Sequence, residues 1–224
     1  MARAKLPRKS TTIDMTAMCD VAFLLLSFFI LATKFKPPEA LTVITPPSVF
    51  TKIAPERNVV MITIDKDGKV YFGVSDMNVP EKEDILRTVS ADKNLGLTPA
   101  EITSFGKNPS AYIGVPFSQL KQYLALSQDQ IKHVAQSGIP VKDSTDNEMI
   151  EWIRAAATAF QGTTMHILVK GDNAAKYPSF QGVIIAFKKN DQMKFQMVTN
   201  PVAVPPGSEL WKANQKSGTK GASS

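Results

Sequence analysis

The chain has 224 residues, of which 43% are hydrophobic and 21% charged, and its formal net charge is +6. This composition excludes a wholly disordered chain, a collagen-like chain and a transporter with many membrane spans, and the length allows one mid-sized domain with additional segments. A single cysteine excludes an intramolecular disulfide framework, and two histidines are too few for a multi-histidine metal centre.

The N-terminus predicts a short leader followed by one membrane-spanning helix. Residues 1–12 carry four basic side chains and no acidic one. Residues 13–33 contain no proline or glycine, and as a helix they would be ~31 Å long, which matches a bilayer core of about 30 Å. Because basic residues are retained on the cytoplasmic side, we expect residues 1–12 in the cytoplasm and the chain after about Thr33 outside the inner membrane; a periplasmic location is what the family resemblance described below implies.

A cleaved signal peptide with its apolar core at 21–32 is the alternative for this segment. Three features favour a retained anchor: Asp20 abuts the core, residues 30–32 form a poor cleavage site, and residues 15–21 continue the helix inward. Cys19 precedes the apolar core, which excludes a lipoprotein attachment site. N-terminal sequencing of the mature chain separates the two alternatives.

Asp20 is the residue that opposes membrane insertion of the span, because placing a carboxylate in hydrocarbon raises the insertion free energy by at least ~2.5–3.5 kcal/mol. Thr16, Asp20 and Ser27 fall within about 60° of arc at ~100° per residue, so they form a polar stripe that should face other protein. We favour an acid that takes up and releases a proton, with Thr16 and Ser27 as polar helpers. The alternative is an acid that only fixes the assembly of neighbouring helices.

This segment is similar to the N-terminus of the ExbD/TolR family. The resemblance is carried by the basic leader and two strings, Ile13-Asp14-Met15-Thr16-Ala17-Met18-Cys19-Asp20 and Val21-Ala22-Phe23-Leu24-Leu25-Leu26-Ser27-Phe28-Phe29-Ile30. Asp20 matches the proton-carrying aspartate of the family, whereas Ala17 stands where the family usually has proline. Weaker resemblance covers 59–90 and 146–200, where Asp172 and Tyr177 match a strand–Asp–Tyr–helix element.

The resemblance implies a proton-motive-force-coupled energy transducer. Its transmembrane helices would sit as a homodimer inside a pore formed by a polytopic partner of the ExbB/TolQ type. Proton flow would drive movement that passes to a TonB- or TolA-like protein acting on the outer membrane. The alternative function is a membrane-tethered, TolR-like anchor that binds peptidoglycan or a partner without direct proton transfer. A secreted binding domain is the third possibility, if the N-terminus is cleaved.

Residues 34–58 are rich in proline and predict a semi-rigid linker, although pairing of 41–44 with a partner or sister chain is an alternative. Residues 59–200 predict a small α+β domain, a two-layer α/β sandwich of one sheet covered by two helices, with a helical insertion at 91–144. Residues 201–224 predict a disordered tail. The predicted elements are a hairpin at 59–64 and 69–72 with an Asp67-Gly68 turn, helices at 80–90, 145–161 and 180–189, and strands at 166–170 and 193–199. Capping boxes are predicted at Thr98–Glu101 and at Thr145–Glu148.

Signatures of enzyme chemistry are absent from the sequence. It holds no phosphate-binding glycine-rich loop, no Gly-x-Ser-x-Gly elbow and no His-Glu-x-x-His motif. Asp65, Asp67 and Asp172 are interpreted as turn and cap residues, and His133 and His166 as surface or packing residues. We therefore expect no enzymatic activity, no cofactor and no metal. The extramembrane part is too weakly basic to predict nucleic-acid binding.

Overall fold

The computed structural model describes residues 15–32, 41–49, 54–108, 112–127, 130–131, 134–142, 146–203 and 205–208. The chain divides into two compact units, residues 1–38 and residues 39–224. The first unit contains helix α1, Met15–Ala32, and the second contains every other described helix and strand. The predicted fold class, one N-terminal apolar helix followed by a mixed α+β domain, is confirmed.

The second unit contains both strands and helices. In chain order they are β1 Pro47–Ser48, β2 Val59–Ile64, β3 Val70–Val74, α2 Val79–Lys93, α3 Pro99–Gly106, β4 Tyr112–Ile113, α4 Phe117–Leu124, α5 Met149–Ala159, β5 His166–Gly171, α6 Tyr177–Lys189, β6 Phe195–Val198 and β7 Asn200–Pro201. The elements predicted from the hairpin onward are present, with bounds that shift by a few residues.

Five strands form one sheet in the order β4-β3-β2-β5-β6. The central strand β2 is antiparallel to β3, with Ile62 opposite Phe72, and parallel to β5, with Ile62 opposite Val169. The hairpin between β2 and β3 follows from its turn residues. Gly68 adopts a positive φ of 81°, and Asp65 Oδ1 accepts the N–H groups of Asp67 and Lys69, two and four residues further along the turn.

The core lies between this sheet and the helices. Alternate residues of β2 enter the core, as the twofold period of a strand requires. Trp152 of α5 is fully buried; its ring stacks on Phe72 with centroids 5.1 Å apart and contacts Phe117 at 5.6 Å. Helices α2 to α6 all contribute buried side chains. The insertion supplies two of these five helices, and the remaining three are one more than the two covering helices predicted.

The insertion at 91–144 is an integral part of the domain. Helices α3 and α4 lie within it, and its strand β4 extends the sheet by pairing with β3, Ile113 opposite Phe72. Farther along, the Ile139 N–H donates to the Val70 carbonyl at 2.8 Å. Helix α3 begins with the predicted capping box, in which Glu101 N–H donates to Thr98 Oγ1 and Thr98 N–H donates to Glu101 Oε2. A two-residue strand has no local sequence pattern, so β4 was not predicted.

Gly182→Ala is expected to destabilise the domain by about 1–3 kcal/mol through overpacking. A methyl group at Gly182 of α6 would clash with the Val141 carbonyl oxygen, a backbone atom of the insertion that has no freedom to swing aside. Gly171→Ala is the matched control, because no atom lies within 4 Å of its added methyl group. Thermal unfolding of the two variants measures the difference, and equal melting temperatures would contradict the close approach.

Candidate functional site

Helix α1 has the length and composition of a membrane span. It contains 18 residues, which corresponds to ~27 Å at ~1.5 Å per residue, and residues 13, 14 and 33 of the predicted span lie outside the described residues. Within the part of the chain that the structure describes, α1 is the one helix long and apolar enough to cross a membrane. None of its residues is buried, and exposed apolar surfaces of this extent are typical of contacts with a membrane or with another protein.

The three polar residues singled out in the sequence lie on α1. Asp20 is exposed, six positions into the helix. Ser27 Oγ donates to the Leu24 carbonyl at 2.9 Å, so this hydroxyl is satisfied within the helix while its oxygen can still accept. Thr16 and Ser27 are one and two helical turns from Asp20 on either side, and Ser27 is ~10.5 Å away along the axis. The stripe is therefore continuous enough for one partner surface to contact it.

The remaining candidates for metal or acid–base chemistry do not assemble into a site. Within the described ranges, no group of three or more His, Cys, Asp or Glu side chains could hold a metal ion. His166 begins β5 and is partly exposed, and His133 lies outside the described residues. Asp65 is the turn residue that the sequence predicted, and its second carboxylate oxygen accepts the Tyr71 hydroxyl at 3.0 Å.

Asp172 has a role that extends beyond its turn. Its Oδ1 accepts the Ala174 N–H at 2.9 Å, as a turn residue should, but its Oδ2 accepts the N–H of Ile44 at 3.0 Å. These two backbone N–H groups hold the pKa of the Asp172 carboxyl below its usual range. Five residues later, Tyr177 begins α6 with 71% of its surface exposed. The element therefore joins an ionised carboxylate to an exposed aromatic ring, next to the predicted linker.

The insertion also helps to enclose a cavity of about 600 Å³. One wall is the β2–β3 turn and the first turn of α6; the other is insertion backbone, with Pro116, Ile139 and Pro140 as apolar lining. Both basic and acidic side chains line its polar part, and Lys69 and Lys142 are two of the basic ones. No sequence motif indicated this cavity, because its lining comes from three separate stretches of the chain, within 67–69, 116–146 and 178–179.

The Glu148 side chain makes a different contact from the one that the sequence predicted. The predicted capping box at 145–148 begins at Thr145, which lies outside the described residues, and α5 begins at Met149. The Glu148 carboxylate instead accepts the Phe117 N–H at 2.8 Å, at the start of α4. Burial raises the pKa of Glu148, and this hydrogen bond opposes the rise. Glu148 thus fastens the insertion to α5 at the cost of partly burying a charge.

Glu148→Gln is expected to raise the melting temperature at neutral pH and to have less effect at acidic pH. Because the folded-state pKa is raised, the Glu148 contribution to stability is present below its ordinary pKa and is lost as pH rises through the folded value. Glutamine still accepts the Phe117 N–H but carries no charge. Glu101→Gln should show the opposite trend, because hydrogen bonds from Thr98 lower the Glu101 pKa. Melting curves at both pH values that show no pH-dependent difference would contradict this assignment.

The comparison with protein families gives one match, and it covers nearly the whole chain. Residues 7–202 match the family described as biopolymer transport protein ExbD/TolR. The chain belongs to the ExbD/TolR family. This ExbD/TolR chain is matched by no curated protein and by no solved structure.

Family membership supports an energy-transducing role in biopolymer transport and partnering with other proteins at a membrane. The match extends from the leader through α1 and the insertion to β7, so the membrane-length helix and the folded domain belong to one family architecture. An N-terminal apolar helix fits a single-pass membrane protein of this family. Members of the family are not known enzymes.

Proposed function

We propose that this chain is the proton-motive-force-coupled subunit of an inner-membrane motor of the ExbB/ExbD or TolQ/TolR type. Asp20 is the proton-carrying residue, and Thr16 and Ser27 are polar helpers on the same side of α1. The observation that carries the proposal is an exposed carboxyl group within an apolar helix of membrane length whose large apolar side chains are exposed. Family membership supports the same role.

The chemistry of the proposed step needs only a change in protonation. A low-dielectric environment disfavours an ionised carboxyl group, whereas a nearby water path or polar partner restores it. An elementary charge that moves across the membrane potential gains ~2.3 kcal/mol per 100 mV. The protonated and ionised forms of Asp20 would therefore favour different contacts between α1 and a polytopic ExbB/TolQ-type partner. Alternation between these contacts would produce the movement.

The remaining parts of the chain set its orientation in the membrane and pass the movement to other proteins. Residues 1–12 stay in the cytoplasm because of their basic side chains, and the α+β domain works in the periplasm, where two copies of the chain pair. The domain passes the movement to a TonB- or TolA-like protein that serves transport across the outer membrane. Within the same proposal, the linker at 34–58 and the tail at 201–224 connect and flank the domain.

Co-purification of the full chain from membranes tests the assembly directly. We expect a complex with one species of polytopic membrane protein and two copies of this chain, counted by mass spectrometry of the intact complex in detergent. The N-terminal residue of the purified chain is read from the same spectrum. A mature chain that begins after residue 32, or a chain that purifies alone from the membrane fraction, would contradict the proposal.

A further inference from the structure

A segment of the predicted linker is bound to the folded domain. The Ile44 N–H donates to Asp172 Oδ2 at 3.0 Å, and the Ile44 carbonyl accepts the Asn173 N–H at 2.8 Å. Two more bonds follow along the segment, from Asn200 N–H to the Pro46 carbonyl at 2.9 Å and from Val202 N–H to the Ser48 carbonyl at 3.0 Å. Strand β1 runs parallel to β7 here, with Ser48 opposite Pro201. We call residues 44–48 with these partners the clasp.

The clasp precedes β2 in the chain, so a force applied from the N-terminal side reaches the clasp before it reaches β2. Residues 44–48 precede β2, which begins at Val59, and they are held at the carboxyl end of β5 and beyond β6. A tension applied to the linker therefore acts on the clasp first. The residues between the clasp and β2 carry no load until the clasp opens.

The clasp is also a weaker attachment than strand β2. Among the described residues it is held by the four hydrogen bonds given above and a two-residue strand, and the Ile44 side chain is 73% exposed. Strand β2, by contrast, is paired along its length with β3 and β5, and Val60 and Ile62 are completely buried. Few buried contacts and exposed hydrogen bonds are the features of segments that open locally before the rest of a domain.

We propose that tension opens the clasp, and that the clasp thereby controls how far the domain can extend from its membrane helix. Closed, it withholds residues 44–55 from the tether, since Glu56 and Asn58 are bonded separately to the domain; open, it adds them, which lengthens the fully extended chain by up to ~40 Å at ~3.3 Å per residue. Asp172 keeps the clasp closed, because its ionised carboxylate accepts the Ile44 N–H. The proposal rests on the proposed function, since the motor supplies the pull.

State-dependent disulfide trapping tests the clasp in cells that carry the full chain. Cysteines replace the paired residues Ser48 and Pro201 in a Cys19→Ser background, so that no other thiol is present. A mild oxidant is added with and without a protonophore, and the cross-linked fraction is followed over time. Lys170→Cys with Val198→Cys is the matched control, because these residues are partners inside the main sheet.

We expect rapid trapping of the clasp pair with the protonophore and trapping slowed several-fold in energised cells, while the control pair shows no change. Asp20→Asn should remove the slowing, and Asp172→Ala should slow trapping even with the protonophore. If transport needs Asp20 but trapping of the clasp pair is equally fast in both conditions, the clasp does not open and this inference is overturned. If transport does not need Asp20, the proposed motor function itself is wrong.

Discussion

Asp20→Asn is expected to reduce proton-driven transport to background while the chain still assembles with its polytopic partner. Asparagine has nearly the shape of aspartate and retains hydrogen-bonding capacity, but it cannot release or take up a proton at physiological pH. The stripe of Thr16, residue 20 and Ser27 therefore remains polar enough to contact the partner. The measurement is transport activity in cells together with co-purification of the complex from the same membranes.

Two further substitutions make this result specific. Asp20→Glu keeps a titratable group on a longer side chain and should retain part of the activity. Cys19→Ser changes the neighbouring residue without altering the stripe and should leave transport at the native level. Proton-dependent transport that persists in Asp20→Asn would favour the alternative of a periplasmic anchor, in which Asp20 serves only assembly.

Trp152→Ala is expected to destabilise the α+β domain by about 3–5 kcal/mol. The indole ring is fully buried and lies between Phe72 of the sheet and Phe117 of the insertion, so its removal leaves a cavity where three parts of the domain meet. A melting temperature lower by roughly 6–20 °C follows, at ~2–4 °C per kcal/mol for a domain of this size. Calorimetry of the purified chain measures this change.

Trp152→Phe is the control for that prediction. Within the described structure the Trp152 Nε1 atom is buried without a hydrogen-bond partner, so phenylalanine removes no hydrogen bond and loses only part of the packing. We expect a smaller decrease in melting temperature than for alanine. Equal losses for the two variants would show that the ring stack between the insertion and the sheet does not govern stability.

Features encoded by neighbouring residues were predicted correctly from the sequence. The β2–β3 hairpin follows from an Asp-Gly turn between two β-rich runs, and the start of α3 follows from a Thr98–Glu101 capping box. Helix α1 follows from composition and length alone. Each of these signals lies within one short segment, so no tertiary contact was needed to interpret it.

Features that depend on distant partners could not be predicted in this way. Ile44 and Asp172, which meet in the clasp, are 128 positions apart, and an aspartate that begins a turn has the same local sequence whether or not it binds a second segment. Glu148 is a second example, because its carboxylate accepts a hydrogen bond from the start of the distant helix α4 instead of capping the helix that it precedes. The proton-carrying role of Asp20 remains a prediction, since a protonation change leaves no trace in one conformation.

Infrared difference spectroscopy of the assembled complex in membranes measures the protonation of Asp20 most directly. Spectra taken with and without an imposed membrane potential should differ in a carbonyl stretch of a protonated carboxylic acid. That band should be absent from membranes that contain Asp20→Asn and present in those that contain Cys19→Ser. A carboxylate at residue 20 that stays ionised at every potential would contradict the proton-driven role.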